Sequence, residues 1–233
     1  MSFASNNTFG TLSSAPDGGI VEHIYNFIYV ELKDFKATNN ENENGITNRL
    51  CKTLEYKKPS ASPYFFHHQN IEDDTENTST DFAAFGTYAY AQEFSILDKE
   101  QKPALIKFEA KRLSTSLPKS RQKEYVIGEY EKGKKFKNSG GVERFKNGRH
   151  GKDVNKACLI GYVQTNSFTY WFKKINGWIQ DEINNPSDSR LTWDNDDKLI
   201  KIESDINTCV HMSNAKRQLL NSIELRHFWI DFT

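Results

Sequence analysis

The stretch ALIKFEAKRL, residues 104–113, alternates apolar side chains like a half-buried strand, then puts Glu109 and Lys111 where that pattern calls for apolar ones. Residues two apart on a strand share a face, so this carboxylate and amine project together while Phe108 and Ala110 face the other way. Taking a lone carboxylate or ammonium out of water costs several kcal/mol unless it is paired or metal-bound. The two groups therefore either neutralise each other as a structural ion pair or belong to a larger charged site. A Glu-x-Lys triplet does not separate these readings in a chain with 31 Lys and Arg.

The elements that must position the pair are legible from periodicity. Over residues 20–35, Ile20, Ile24, Phe27, Ile28 and Leu32 recur at spacings of three and four, which predicts an amphipathic helix. A second helix follows, with Ile46, Leu50 and Leu54 on one face and an end before Pro59; Glu43 lies over its first turn. SPYFFHHQN reads as a short strand, IEDDTENTST as an exposed loop, and DFAAFGTYAYAQEF, headed by Asp81, as a strand with an irregularity at Gly86. SILDKEQKP is a turn that makes this strand and residues 104–113 hairpin partners. If the turn lies near residues 98–100, Glu109 pairs near Ala89, and only a bulge at Gly86 or a longer connection brings Asp81 alongside.

After Pro118 a polar stretch is expected to be helical up to Gly140-Gly141, and VERFKNGRHGKD reads as a glycine-punctuated basic loop. ACLIGYVQ is expected as a buried strand, SFTYWFKKINGWIQDEI as a helix, and KLIKIE and IELRHFWIDF as two further strands. Together they predict one α/β (α+β) unit with a central mixed sheet flanked by helices.

Composition is consistent with that. The 233 residues are 36% hydrophobic and 27% charged, enough for one domain, expected over residues 20–233 after a flexible polar lead-in at 1–19. No run approaches the roughly 18 apolar residues of a membrane span, and the first residues lack a secretory signal pattern. Cys51, Cys158 and Cys209 are few, odd in number and widely spaced, which fits buried thiols in a reducing cytoplasm and does not indicate zinc. Net charge is zero, but residues 99–156 hold 17 Lys and Arg against 7 Asp and Glu, while residues 72–98 carry acids only. A basic block of that size is either a solvated face or a phosphate-binding surface.

The order of a helix Glu (Glu43), a strand Asp (Asp81 in TDFAAFG) and a strand Glu-x-Lys (Glu109 and Lys111 in IKFEAKRL) resembles the PD-(D/E)XK nuclease superfamily. The resemblance covers roughly residues 41–113 and, through ACLIGYVQ, the order of a restriction endonuclease-like core; no proline precedes Asp81. It implies a Mg²⁺-dependent endonuclease, with Mn²⁺ able to substitute, that hydrolyses phosphodiester bonds, in DNA ahead of RNA. Asp81, Glu109 and the Ala110 carbonyl would supply hard oxygens for the cation, with Glu43 acting directly or through water. Lys111 would hold or activate the attacking water, or stabilise the phosphoryl oxygens. By analogy it also implies a role in restriction or antiviral defence, and a homodimer or partner subunit, since cutting both strands needs two sites.

Outside that motif, Lys146, Arg149, His150 and Lys152 in the basic loop are candidates for contact with a nucleic-acid backbone; the alternative is an exposed polar loop. Arg112, on the opposite face from Lys111, is expected to support packing. His67 and His68 point to opposite faces and read as structural or surface residues. The aromatics Tyr170, Trp171 and Trp178 at helical spacing read as core. No Ser/His/Asp arrangement, phosphate-cradling GxxxxGK[ST] loop or dinucleotide GxGxxG pattern is present. The rival to a nuclease is a non-catalytic nucleic-acid- or protein-binding module of the same fold, in which Glu109 and Lys111 are a structural ion pair.

Overall fold

A computed structural model of the chain describes residues 16–38, 41–73, 78–94, 104–128, 139–218 and 220–233. Helices α1 (Pro16–Asp34) and α2 (Glu43–Lys57) come first, then strands β1 (Tyr64–Asp73) and β2 (Thr78–Gly86), a short helix α3 (Tyr88–Glu93) and strand β3 (Ala104–Leu113). Helix α4 (Gly141–Lys146), strand β4 (Lys156–Val163), helix α5 (Phe168–Asn184) and strands β5 (Ile200–Ser204), β6 (Thr208–Ala215) and β7 (Ile223–Asp231) complete the order. All seven strands form one mixed sheet in the order β1-β2-β3-β4-β7-β6-β5. β4 runs parallel to both β3 and β7, and the remaining pairs are antiparallel.

A strand covered on both faces reads as a nearly continuous apolar run, and β4 is such a strand. Its Cys158, Ile160 and Tyr162 enter one core cluster with Ile24, Ile28 and Leu32 of α1 and Ile46, Leu50 and Leu54 of α2. Its Ala157, Leu159 and Val163 enter a second cluster with Val142 and Phe145 of α4 and Trp171, Ile175 and Ile179 of α5. The chain is thus a central mixed sheet flanked by helices. Among the described residues no helix is long and apolar enough to cross a membrane. The three cysteines are free and buried.

Both predicted amphipathic helices form, and their starts have physical causes. Asn42 caps α2 by accepting from the Gly45 N–H at 2.8 Å, and Ser167 caps α5 by accepting from Tyr170 N–H at 3.3 Å. Helix α2 ends at Lys57, ahead of Pro59.

Several expectations need correction. The lead-in expected over 1–19 ends earlier, because α1 begins at Pro16; residues 1–15 lie outside the described residues. IEDDTENTST is not all loop, since β1 runs to Asp73 and β2 starts at Thr78. TYAYAQE is helix α3 instead of strand, with Thr87 Oγ1 capping Tyr90 N–H at 3.4 Å. After Pro118 the chain makes turns through residue 126 in place of a helix, and the first half of the basic loop is helix α4. The predicted turn SILDKEQKP lies wholly outside the described residues. Strand β6 carries no clean apolar alternation in the sequence, because the buried His211 and Ser213 stand among buried Cys209, Val210 and Ala215; Ser213 Oγ is hydrogen-bonded to His227 Nε2 at 3.0 Å.

Gly161, at the middle of β4, leaves room for a neighbour: a Cβ there would lie 2.5 Å from Cδ1 of the buried Trp229 and 3.0 Å from Cδ1 of Leu113. Overpacking of this kind costs about 1–3 kcal/mol. Gly161→Ala is therefore expected to lower unfolding free energy by about that amount in urea titration, with an unchanged m-value. A loss of only a few tenths of a kcal/mol would contradict this account.

Candidate active site

The site is built on β3. Its Lys107, Glu109 and Lys111 project to one side, while Phe108 and Ala110 join the α1/α2 core on the other. β3 pairs with β2 through Phe82 and Phe108, with a register shift between Ala84 and Phe85. That register carries Asp81 to the level of Glu109 and Ala110, and Asp81 Oδ2 accepts from Ala110 N–H at 2.6 Å. The irregularity expected at Gly86 thus falls one step earlier, and α3 takes up residues that a tight hairpin would have paired.

Glu43 arrives from the first turn of α2. Its Oε2 accepts from Arg112 N–H at 3.0 Å, and its Oε1 lies 3.6 Å from Lys111 Nζ. That turn is pinned to the sheet by Thr47, whose hydroxyl donates to Glu43 O at 2.7 Å and meets the Tyr162 hydroxyl at 2.9 Å. The structure therefore brings Glu43, Asp81, Glu109 and Lys111 together.

Glu109 is fully buried. Its Oε1 accepts from Lys111 Nζ at 2.6 Å and from Arg144 Nη1 at 2.6 Å. Nδ1 of His150 lies 3.0 Å from Oε2, yet neither atom completes a hydrogen bond, so Oε2 is a buried carboxylate oxygen without one. Burial by itself would raise the pKa of Glu109, but the charges of Lys111, His150 and Arg144 outweigh it and hold the carboxyl well below the usual range. Burial likewise opposes the charge on Lys111, and Glu109, Glu43 and Asp81 reverse that, raising its pKa. Lys111 Nζ also donates to the Ala110 carbonyl at 3.0 Å. Asp81 behaves differently: burial and the neighbouring Glu109 charge push it up to about 7, against the pull of Lys111 and the Ala110 N–H. One carboxylate is thus firmly ionised and its neighbour sits near half-protonation at neutral pH.

Glu43, Asp81 and Lys111 line a polar pocket of about 420 Å³ together with Arg144, Arg149 and His150, and Glu109 is buried behind that wall. No group of three or more His, Cys, Asp and Glu side chains among the described residues is arranged to hold a metal ion.

The basic-loop candidates divide. Arg149 and His150 line the pocket, but His150 is buried against Glu109 and is not an exposed backbone contact. Lys152 is exposed and does not line the pocket. Lys146 requires correction: it is buried, ion-paired with the buried Asp197, and its Nζ sits 4.8 Å from the centre of the Trp193 ring. Its ammonium has no face to offer a phosphate. His67 is exposed, and Arg112 Nε is buried without a hydrogen-bond partner.

Sequence reasoning missed Arg144 and the clamp that seats His150. Lys107 Nζ is held by Glu72 Oε2 at 2.8 Å and by Asp153, and the same Glu72 oxygen accepts from Gly151 N–H at 3.3 Å. Gly151 has φ +69°, a left-handed conformation that suits glycine, and this reversal returns the chain past Glu109 after His150. Nothing in GGVERFKNGRHG marks which cation turns inward, since that follows from how α4 docks.

Searches of family models, curated proteins and solved structures return no match to the chain.

The docking of α4 depends on a second carboxylate. Its first N–H groups are met by carbonyls of the preceding turn, with Gly141, Val142 and Glu143 donating to Glu124, Tyr125 and Val126. The buried Glu143 Oε2 accepts from Gly128 N–H at 2.9 Å and Gly140 N–H at 3.2 Å. Burial raises its pKa to about 7 despite those two donors. A carboxyl raised in the folded state keeps its proton where the unfolded chain has lost it, so stability falls as pH rises from about 4.5 to about 7. The loss is on the order of 3 kcal/mol and persists above pH 7. Glu143→Gln keeps an acceptor for both N–H groups without the ionisation. It is expected to melt above the wild type at pH 8 and level with it near pH 4.5; an advantage independent of pH would refute this.

Proposed function

We propose that this protein is a metal-dependent nuclease of the PD-(D/E)XK kind, with a restriction endonuclease-like core, acting on phosphodiester bonds in DNA ahead of RNA. The observation that carries the reading is the meeting of Glu43, Asp81 and Lys111, drawn from a helix and two paired strands, at one pocket, with Glu109 buried behind its wall against Lys111. An ion pair that served packing alone would need Glu109 and Lys111, but neither Asp81 nor Glu43.

The donors suit Mg²⁺, with Mn²⁺ as a substitute. They are hard oxygens, and Mg²⁺ is commonly held through one or two carboxylates while it keeps several waters, so a closed cage of three side chains is not required. Glu109 Oε2 is a buried anionic oxygen with His150 Nδ1 at 3.0 Å, and Asp81 beside Glu109 is a carboxyl that a nearby cation would hold ionised. Asp81, Glu109 and the Ala110 carbonyl would hold the cation, with Glu43 direct or through water. A cation held there would supply charge to offset that developing on the phosphoryl group and would lower the pKa of a nearby water. Lys111, kept protonated by the three carboxylates, orients the attacking water or stabilises the phosphoryl oxygens. Glu43 ties the start of α2 to the end of β3, which fixes the distance between these groups.

The contact of Lys111 with Glu109 at 2.6 Å also favours the rival reading, a binding module with a structural ion pair. Plasmid cleavage separates the two. With Mg²⁺ the wild type is expected to cut and to stop in a chelator, and Glu109→Ala and Lys111→Ala to lose about 100-fold or more in rate. Equal cutting by both variants would remove the catalytic assignment, and duplex binding without any cleavage would favour the module.

A further inference from the structure

The arginines of this chain show what a structural guanidinium looks like here. Arg217 donates through Nε, Nη1 and Nη2 to Asn221, Gly151, Val154 and Asn155. Arg121 grips Glu124 with both prongs, Nε to Oε1 and Nη2 to Oε2, each at 2.8 Å. Arg226 lies between Glu22 and Glu224 and over the Tyr25 ring.

Arg144 is unlike them. It makes a single hydrogen bond, from Nη1 to Glu109 Oε1, and among the described residues Nε and Nη2 have no protein acceptor. Its side chain is 28% exposed whereas that of Glu109 is 0% exposed, and it lines the same pocket as Asp81 and Lys111. The buried ammonium of Lys111 sits 2.6 Å from the same oxygen, so Glu109 takes up only one donor of Arg144. A guanidinium with most of its donors unspent, beside carboxylates on a pocket wall, is arranged for an oxyanion with two acceptor oxygens.

We infer that Arg144 is the phosphate-binding residue of this pocket: one prong rests on Glu109, and the remaining donors receive the non-bridging oxygens of an incoming phosphodiester. Glu109 serves as its anchor, holding the fork at the site, and α4 sets its height. This rests on the nuclease reading for the identity of the ligand and adds a residue outside the Asp and Glu-x-Lys motif. Lys146, turned into the core, takes no part.

The test is binding without chemistry: fluorescence anisotropy of a short fluorescein-labelled DNA duplex in EDTA, with Arg144→Gln, Arg144→Lys and the control Lys201→Gln on β5, at the far edge of the sheet. Losing a charge-assisted fork is expected to weaken binding about tenfold or more for Arg144→Gln, with Arg144→Lys intermediate and the exposed Lys201→Gln within about twofold of the wild type. Thermal melting shows which variants are folded. Should Arg144→Gln fail to fold, Arg144→Lys, which keeps a cation beside Glu109, decides: a loss of about threefold or more supports the assignment and a smaller one overturns it. Undiminished binding by folded Arg144→Gln, or no binding by the wild type in EDTA, overturns it as well. A protein that binds through Arg144 but never cuts with Mg²⁺ would sink the nuclease reading and leave this one standing; a protein that cuts while Arg144→Gln binds normally would do the reverse.

Discussion

A carboxylate with no access to solvent, in the third strand of a seven-stranded sheet, is the constraint around which the rest is arranged. An uncompensated charge in that position would cost several kcal/mol. Glu109 survives there because Lys111 reaches it along its own strand, Arg144 from α4, and His150 from the turn that follows. Each partner comes from a different stretch of chain. The local charge balance thereby ties β3 to the segment between β3 and β4, where a long crossover is obligatory because those strands are parallel.

That crossover is held by polar contacts as much as by apolar ones. Glu143 gathers the N–H groups of Gly128 and Gly140, the Lys107 clamp with Glu72 and Asp153 fixes the turn after α4, and Lys146 locks α4 to Asp197. Tyr125, buried on the preceding turn, bonds His227 Nδ1 at 2.8 Å and accepts from Trp229 Nε1 at 2.9 Å. Buried polar networks of this kind are unforgiving, because a group left unpaired costs more than its bond contributed. They place Arg121, Arg144, Arg149 and His150 on one pocket wall. The opposing acids are carried by regular elements, the first turn of α2 and the strand β2, which rest on the first core cluster.

This division gives the proposed site its character. The acidic groups stand on the most conventional part of the fold, where helix period and strand alternation decide their positions. The cations come from a segment with short helix, turns and glycine reversals, whose shape depends on its own buried charges. A pocket with one ionised carboxylate, one poised near neutrality and several cations is suited to an anionic ligand and a hard cation together, which is the combination that phosphodiester hydrolysis asks for.

From the sequence alone, the faces of α1, α2 and α5, the buried strand β4, and the acids Glu43, Asp81 and Glu109 with Lys111 could be read, because periodicity and a charge at an apolar strand position are local signals. The mixed sheet between helices followed from the order of those elements. What only the tertiary structure decided is which members of the basic block turn inward: Lys146 to Asp197, Arg144 and His150 to Glu109, Lys107 to Glu72 and Asp153. It also decided the level of Asp81, set by a register shift between Ala84 and Phe85 and by a helix where aromatic residues suggested strand, and it revealed β6, whose buried side chains mix polar His211 and Ser213 with apolar Cys209, Val210 and Ala215. The physical reason is the same in each case. Hydrophobic period is written along the chain, whereas the partner of a buried charge is chosen by segments that meet only after folding, and no spacing rule records that meeting.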